Sequence, residues 1–344
     1  MSAQRERGIV LVIVLVFALL LASSIATFVR RATVDDRIAY NREAASRAEA
    51  MARGGVRLAW ALLLEDKLLE KQGSFQGETL DDLWAMAGLA PIPLEDGSTL
   101  RLVIEDASSK LNLNAVLAVD KNGAVDQKAK PFLTELMKKV IADIPLPPAE
   151  KVYDTEVLVD NLIDHVDPDD VSQQGGSEND AFERGESPVG PNDRNRPLLS
   201  LDELRLIPGF DSTLVEALRP YVTVYPYISK DGINPNTAPP YVLALIYYND
   251  GVQLRLADED MVRRLLAVRQ DGWILCGSKQ SDESCKPINE IVENDTGVFP
   301  PLAYSSNVFV VKAEAQVGSV QRRIEAILDR SQGAKPLLLS WRVL

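Results

Sequence analysis

Acidic residues concentrate in one segment of the chain, between positions 154 and 193. This segment holds twelve Asp or Glu residues and one basic residue, Arg184, a local charge of −11 in a chain whose formal charge is −13. Carboxylates at this density repel one another in a folded loop unless a cation or solvent screens them. Hard carboxylate oxygens, with Gly175, Gly176 and Gly190 to permit tight turns, suit Ca²⁺ better than Zn²⁺. The segment therefore predicts a calcium site.

The candidate ligands lie on both sides of the glycine pair in this segment. Their spacing is not that of an EF-hand loop, so a merely solvated acidic loop is an alternative interpretation. Asn192 and Asp193 are further candidates. The predicted ligands are Asp167, Asp169, Asp170, Glu178 and Asp180.

Catalytic motifs are absent from the sequence. It contains no G-x-S-x-G, P-loop, G-x-G-x-x-G or H-E-x-x-H pattern. The chain therefore has none of the motifs with which enzymes bind phosphate groups, transfer hydride or hydrolyse substrates with zinc. The carboxylates and His165, which is the single histidine, have the residue types of an acid/base pair but nothing beyond type supports one. We expect His165 to be a structural helix residue and the chain not to be an enzyme, with no catalytic residues.

The two cysteines, Cys276 and Cys285, are too few for a disulfide framework and lack partners for a zinc site. They enclose a short polar loop. In an oxidising compartment a disulfide between them would restrain this loop, whereas in a reducing compartment they would remain thiols.

A long uncharged stretch precedes all of these residues. Ile9 to Val29 holds 21 residues without a charge, and as a helix it spans roughly 31 Å, the thickness of a bilayer core. A cleaved signal peptide is the alternative, but the apolar run continues past the small residues Ala22, Ser23 and Ser24 that could imitate a cleavage site. The stretch therefore predicts a transmembrane helix.

The remaining periodicities predict an α+β domain interrupted by a helical insertion. A proline-free, Ala-, Arg-, Glu- and Leu-rich stretch from 39 to 72 predicts a helix continuing the membrane span, with Gly54 and Gly55 as a predicted kink. Residues 100–104 predict a strand, and the late segments 307–317, 320–328 and 337–343 predict an antiparallel meander. Helical patterns in between cover 132–144, 155–166, 201–207, 212–218, 238–247 and 258–270, with a short strand at 221–225.

The amino terminus, MSAQRERG, is a short charged leader that ends in Gly8 directly before the apolar run. It resembles a class III prepilin leader. By that resemblance a prepilin peptidase cleaves between Gly8 and Ile9, and Ile9 is N-methylated. The fifth mature position is Ile13, where most pilins and pseudopilins have a glutamate. A subunit with nothing above it in a filament would not need that carboxylate.

Four further motifs extend the resemblance over nearly the whole chain. The chain is similar to the protein K (GspK) family, the large minor pseudopilins of type II secretion systems, which typically lack the glutamate. The motifs are SKLNLN at 109–114, LIDHVDPDD at 162–170, PLLSLDELRLIPGF at 197–210 and INPNTAPPYVL at 233–243.

The resemblance implies a pilin-like fold, with a long N-terminal helix, an antiparallel sheet and a large inserted all-α domain containing helix-hairpin-helix-like units. It implies a subunit at the pseudopilus tip that starts assembly for protein export, anchored by a single pass in the bacterial inner membrane with its body in the periplasm. It also implies I-type and J-type minor pseudopilins, prepilin peptidase and membrane lipid as partners, and it supports Ca²⁺ as the bound ion. The expected segments are a leader (1–8), a transmembrane helix (9–29), a spine helix with the first strands (30–110), the insertion (111–300) and the last strands (301–344).

Two other functions remain open from the sequence. One is a minor pilin of a type IV pilus, which shares the leader and the fold. The other is a membrane-tethered DNA receptor, because the LRLIPGF and INPNT motifs resemble halves of a helix-hairpin-helix. Asp211 lies where DNA-binding hairpins usually have a second glycine, and its side chain would face a DNA phosphate. The net negative charge of the chain also gives it little electrostatic affinity for DNA. We therefore expect no nucleic-acid partner.

Overall fold

The computed structural model describes residues 3–70, 77–121, 123–145, 153–178, 194–249, 253–277, 285–292, 297–332 and 336–344. The helices are α1 (Ala3–Glu70), α2 (Leu83–Met86), α3 (Leu113–Val116), α4 (Ala129–Asp143), α5 (Thr155–Val166), α6 (Ser212–Leu218), α7 (Pro240–Leu243) and α8 (Glu259–Gln270). The strands are β1 (Ile92–Pro93), β2 (Thr99–Asp106), β3 (Leu111–Asn112), β4 (Val222–Thr223), β5 (Tyr247–Asn249), β6 (Leu254–Leu256), β7 (Ile274–Cys276), β8 (Cys285–Pro287), β9 (Val298–Phe299), β10 (Val308–Val317), β11 (Val320–Asp329) and β12 (Leu337–Val343). Short 3₁₀ helices cover Ala107–Ser109, Leu201–Leu206 and Ile288–Glu290.

Helix α1 is one unbroken helix of 68 residues, about 100 Å long. Its apolar side chains from Val10 to Val29 are exposed, and an 18-residue window of this part reaches a mean hydropathy of 2.8 with none of it buried. The helix is therefore long and apolar enough to cross a membrane, as the sequence predicts. The other end packs on the sheet through small side chains at spacings of three and four, namely Ala44, Ala48, Ala52, Val56, Ala59 and Leu63.

The helix runs through Gly54 and Gly55, where the sequence predicts a kink, without interruption. Gly55 has a packing role. A Cβ at this position would lie 3.0 Å from Leu100 Cδ1 and 3.1 Å from Ala313 Cβ, so the missing side chain lets α1 approach the sheet closely. A Cβ on Gly54 would meet nothing within 4 Å.

Five antiparallel strands form the main sheet in the order β1-β2-β10-β11-β12. Strand β10 is central: Val311 pairs with Ile104 of β2 on one side and with Ala326 of β11 on the other. Side chains of β2, β10 and β11 that face α1 are buried, whereas their alternating neighbours are more exposed. The same alternation of apolar and polar residues in the sequence predicted the antiparallel meander.

The insertion leaves the sheet after Asp106, the last residue of β2, and returns at Val308, the first of β10. It has its own hydrophobic core, which includes Phe132, Leu162 and Leu243. The expectation of an all-α insertion is wrong, because β3 and β4 form a parallel pair, β6-β5-β9 form an antiparallel sheet, and β7 and β8 form a second parallel pair. These strands lie in the segments that join the helices, and their pairing satisfies backbone hydrogen-bonding groups. With two or three residues each, they are too short to show a periodic pattern in the sequence.

Two helices of the insertion also differ from the sequence prediction, whereas α5 and α6 have the predicted bounds. The segment 201–207 forms a 3₁₀ helix rather than an α-helix. The segment 238–247 forms the four-residue helix α7 and then enters β5. Tyr247 and Tyr248 pair with β6 and β9 there, because aromatic side chains fit a half-buried strand better than a helix end.

Candidate functional site

The end of helix α5 and the loop after it bring carboxylates together. Asp154 caps the start of α5, since its Oδ1 accepts hydrogen bonds from the Glu156 and Val157 amides at 3.1 and 3.2 Å. Leu158, Leu162 and their apolar neighbours bury one face of the helix in the core of the insertion. This packing fixes Asp164 in the last turn and Asp167 immediately after it.

The loop after α5 folds back on the helix. Asp164 accepts hydrogen bonds from the Ser172 hydroxyl at 2.8 Å and from the Gln173 amide at 2.9 Å. Gly175 and Gly176 both have positive φ, and Val171 forms an isolated antiparallel bridge with Ser177. The turn therefore returns Glu178 to the end of α5.

Asp164, Asp167 and Glu178 form a buried carboxylate group. Each offers one oxygen that lies within 4.8 Å of the oxygens offered by the other two. Their exposed fractions are 8, 4 and 4%. In the described part of the chain, no hydrogen bond reaches Asp167 Oδ1 or either carboxylate oxygen of Glu178. Asp167 and Glu178 thus have buried carboxylate oxygens without a hydrogen-bond donor, whereas Asp164 has two donors.

The electrostatics of the group are unfavourable to three negative charges. Burial, followed by repulsion from Asp169 and Asp164, raises the pKa of Asp167 to about 6. Burial, followed by repulsion from Asp167 and Asp164, raises the pKa of Glu178 to about 8. The Arg194 guanidinium offsets part of this repulsion, with its Nη1 3.7 Å from Glu178 Oε2. One cation against three carboxylates leaves a site that suits a divalent ion.

The donor set fits a hard cation. Carboxylate oxygens are the ligands that Ca²⁺ prefers, and the described residues of this group include no thiol. Asn195, with a φ of 60°, hydrogen-bonds to the carbonyl oxygens of His165 and Asp169, and its own Oδ1 is buried with no donor among the described residues.

The sequence prediction of the ligands agrees with this geometry in part. Asp167 and Glu178 lie in the group, but Asp169 and Asp170 are exposed and outside it. Asp180, Asn192 and Asp193 lie outside the described residues.

Asp164 was not among the predicted ligands. Its position three residues before Asp167, one helical turn away, was the available signal. Its neighbour His165 is buried in α5, and burial lowers the pKa of His165 to about 4, so the imidazole is neutral near neutral pH.

A second carboxylate group, Asp66, Glu78 and Asp82, already has a protein cation. Arg330 donates to Asp66 Oδ2 at 2.9 Å and to the Leu63 carbonyl at 3.0 Å, and it also pairs with Glu78. This buried guanidinium joins the end of β11 to the end of α1. The arrangement is that of a structural ion pair.

The asparagine-rich motifs are structural. Asn114 of SKLNLN donates to the Leu198 and Val224 carbonyls at 2.9 and 2.8 Å and accepts from the Leu198 amide at 2.9 Å. Asn236 of INPNT makes the same paired contact with the backbone of Leu275. These buried amides tie segments that are distant in the sequence.

The LRLIPGF turn packs on α5. A Cβ on Gly209, which has φ +89°, would lie 2.7 Å from Leu158 Cδ2. Asn161 donates to the Pro208 carbonyl at 3.0 Å, and Asp211 caps α6 while accepting from the Tyr153 hydroxyl at 2.8 Å. These contacts hold the turn against α5 and α6 of its own domain.

The remaining predicted positions lie at the amino terminus and in the insertion. Gly8 and Ile9 belong to α1, and their side chains lie outside the described residues. Cys276 and Cys285 are joined by a disulfide with a Cα–Cα distance of 5.9 Å, which links β7 to β8.

Known proteins resemble this chain over nearly its full length. A family model described as type II secretion system (T2SS), protein K, matches residues 109–227. The type II secretion system protein K of Aeromonas hydrophila is 26% identical over 342 residues, covering 98% of this chain and 97% of that protein. The protein K of Klebsiella pneumoniae is 27% identical over 329 residues, covering 95% and 93%.

Among solved structures, a chain of the GspK-GspI-GspJ complex from the type 2 secretion system of enterotoxigenic Escherichia coli has the same fold. The TM-score is 0.59 at 17% sequence identity, covering 90% of this chain and 99% of that chain.

Proposed function

This chain belongs to the protein K family of the type II secretion system, and we propose that it stands at the tip of the pseudopilus as the subunit that starts assembly. It is a minor pseudopilin in protein export. In this proposal it has no catalytic activity. Its role is mechanical: it anchors in the membrane, binds neighbouring subunits and ends the filament.

The position of the insertion carries the tip proposal. Tyr40 lies beside the β10–β11 turn, where a Cβ on Gly318 would come 2.8 Å from the tyrosine hydroxyl. At the other end of the same helix, Lys67 donates to Asn307 Oδ1 at 3.2 Å, next to the point where the chain returns from the insertion. The insertion therefore lies at the end of the sheet farthest from the apolar part of α1. A subunit stacked above it along the filament would collide with it.

The amino terminus supports membrane anchoring and processing. The exposed apolar part of α1 is the anchor, which in this proposal makes a single pass through the inner membrane with the body in the periplasm. Prepilin peptidase would cleave between Gly8 and Ile9, and Ile9 would be methylated. The I-type and J-type minor pseudopilins would be the partners, as they are for the solved complex.

We also propose that Asp164, Asp167 and Glu178 bind Ca²⁺. The support is the buried group of carboxylate oxygens with too few hydrogen-bond donors. The ion would neutralise the carboxylates and hold the loop against the end of α5, which is a structural and not a catalytic role.

Two measurements on the full-length protein test the proposal. Purified from membranes of a host with the cognate prepilin peptidase, the N-terminal peptide should have the mass of a methylated chain starting at Ile9. Gold-labelled antibody against the insertion should mark one end of each overproduced pseudopilus. An intact Met1 or Ser2 terminus, or label along the whole filament, would overturn it.

A further inference from the structure

A cavity lies between the main sheet and the insertion, on the face of the sheet opposite α1. It leaves about 160 Å³ accessible to the centres of water molecules, whereas a single water needs only about 15 Å³. Residues of β2, β10, β11 and β12 form one wall, and residues of the insertion form the other. The charged residues that line this junction cavity are Glu105, Asp106, Lys110, Arg219, Lys312, Glu325 and Arg342.

The acids of the junction cavity are compensated by the protein. Glu105 accepts hydrogen bonds from Lys312 Nζ at 2.8 and 2.9 Å. The carboxylate of Asp106 accepts from three donors of the insertion. Glu325 of β11 pairs directly with Lys312 of β10 and with Arg342 of β12, so its side chain lies between two cations on one face of the sheet.

Lys110 does not have this compensation. Its Nζ donates to the Arg219 carbonyl at 2.9 Å, and no carboxylate in the described part of the chain forms an ion pair with it. One carbonyl acceptor leaves two of the three N–H groups of the ammonium without a partner. Burial lowers the pKa of Lys110 below the 10.5 of an ordinary lysine. An anion beside Lys110 would therefore stabilise its charged form.

The two arginines of the junction cavity also have donors without an acceptor. Arg219 donates to Glu216 and Asp202 through its Nε and Nη2 atoms. Arg342 donates to Asp202 through Nη2 at 3.2 Å. A guanidinium has five N–H groups. The Nη1 groups of both arginines and Nε of Arg342 have no acceptor among the described residues.

Two hydroxyl groups on the insertion wall add to the donors. Ser200 Oγ accepts from the Asp202 amide at 3.2 Å, and Thr223 Oγ1 accepts from the Tyr225 amide at 3.2 Å. Because these oxygens act as acceptors, their hydrogens can be donated to another group. The junction cavity thus has free cationic and hydroxyl donors, which favour an oxyanion.

The position of the junction cavity excludes a lipid headgroup as the source of this anion. Lys67 lies roughly 55 Å beyond Val29, the last residue of the apolar stretch, along the unbroken helix α1. Lys67 contacts Asn307 and the Arg330 carbonyl, where the insertion joins the sheet. The cavity lies at the same end of the sheet, since Glu105 is the residue before the last of β2. A free ion in solution is therefore the candidate.

We propose that the junction cavity binds one tetrahedral oxyanion, phosphate or sulfate. Lys110 and Arg219 of the insertion and Arg342 of the sheet hold it, and the Ser200 and Thr223 hydroxyls donate to it. The ion joins the two walls of the cavity and so fixes the insertion on the sheet. This inference is independent of the proposed role at the pseudopilus tip.

Isothermal titration calorimetry on the full-length protein in detergent tests the proposal. The probes are inorganic phosphate and sulfate in a chloride buffer of constant ionic strength, after dialysis against a chelator to remove calcium. Both should bind saturably at one ion per chain. Lys110→Met should weaken binding at least about tenfold, because a hydrogen bond to a charged group has been lost. Lys138→Met, which removes an exposed lysine paired with Glu135 in α4, is the matched control and should bind normally.

A variant on the opposite wall checks the same site independently. Arg342→Gln should also weaken binding, and circular dichroism on each variant verifies the fold. If Lys110→Met does not fold, Arg342→Gln decides the test. Absence of saturable binding by the unsubstituted chain, or normal binding by a folded Lys110→Met or Arg342→Gln chain, would overturn the proposal. An equal loss in Lys138→Met would also overturn it, since binding would then follow net charge and not the cavity.

Discussion

Thr237 donates its hydroxyl to Asp106 Oδ2 at 2.7 Å, across 131 residues of sequence. Asp106 ends β2, where the chain leaves the sheet, and Thr237 belongs to the INPNT motif within the insertion. Asn234 of the same motif donates to Asp106 Oδ2 at 3.0 Å, and the Ser108 amide donates to Oδ1 at 2.7 Å. The INPNT motif is thus the attachment of the insertion to the main sheet.

The Thr237 contact should contribute measurably to stability. Thr237→Val keeps the shape of the side chain but removes one of the donors to a buried carboxylate, so the free energy of unfolding should fall by about 1–2 kcal/mol. Chemical unfolding of the full-length protein in detergent measures the change. Thr134→Val, on the exposed side of α4, is the control and should change stability little. Equal effects of the two substitutions would contradict the role of Thr237.

The Asp106 carboxyl should make stability depend on pH. Burial raises its pKa above the 3.8 of an ordinary Asp, although Ser306, Thr237, Ser108 and Asn234 lower it in part by hydrogen bonding. Protonation of Asp106 therefore stabilises the fold fully at pH values below the pKa of this group in the unfolded chain. The stabilisation is lost as the pH rises through the pKa of the group in the folded protein. The stability of the unsubstituted protein relative to Asp106→Asn should therefore fall from acidic to neutral pH. A constant difference between the two unfolding curves would refute this.

Calcium should stabilise the fold through the group at the end of α5. A ligand present at 100 times its dissociation constant adds about 2.7 kcal/mol to the free energy of unfolding. The thermal midpoint of the purified protein should rise with CaCl₂ and fall with a chelator, and Glu178→Gln should remove most of this difference. Asp170→Asn is the matched control, because Asp170 is acidic but exposed and outside the group. Loss of the calcium effect in the control alone would show that the wrong carboxylates were assigned.

The adjacent glycines of α1 should respond to alanine in opposite directions. Gly54→Ala adds a methyl group into open space and should stabilise the helix by about 0.5–1 kcal/mol. Gly55→Ala places its methyl group against Leu100 and Ala313 and should destabilise the protein or at least lose this gain. Thermal unfolding of the two variants side by side tests this. Equal stabilisation by both would show that α1 has room to move away from the sheet.

Arg330 should be among the most sensitive positions. Its removal in Arg330→Met leaves Asp66 and Glu78 buried without their guanidinium, which typically costs about 3–5 kcal/mol. Arg323→Gln, in β11, which ends just before Arg330, breaks an exposed pair with Glu314 and should have little effect. Urea unfolding of both variants compares them. A similar, small loss in both would mean that the buried pair is dispensable.

Local patterns in the sequence determined the elements with long, regular periods. The uncharged stretch from 9 to 29 and the alanine-rich stretch after it predicted α1, and alternation predicted β10, β11 and β12. These predictions hold because helix and strand periods depend on neighbours within a few residues. The sequence also located the acidic segment and the motifs that identify the family.

Tertiary structure decided which of these residues act together. Asp164 joins Asp167 and Glu178, whereas Asp169 and Asp170 remain in solvent, because the path of the 167–178 loop, and not local charge density, sets which oxygens converge. In the same way, Gly55 is a contact with the sheet, and the two- and three-residue strands of the insertion exist through pairing with distant segments. Contacts between residues far apart in the chain leave no periodic pattern in the sequence. Only the folded structure therefore shows which residues make them.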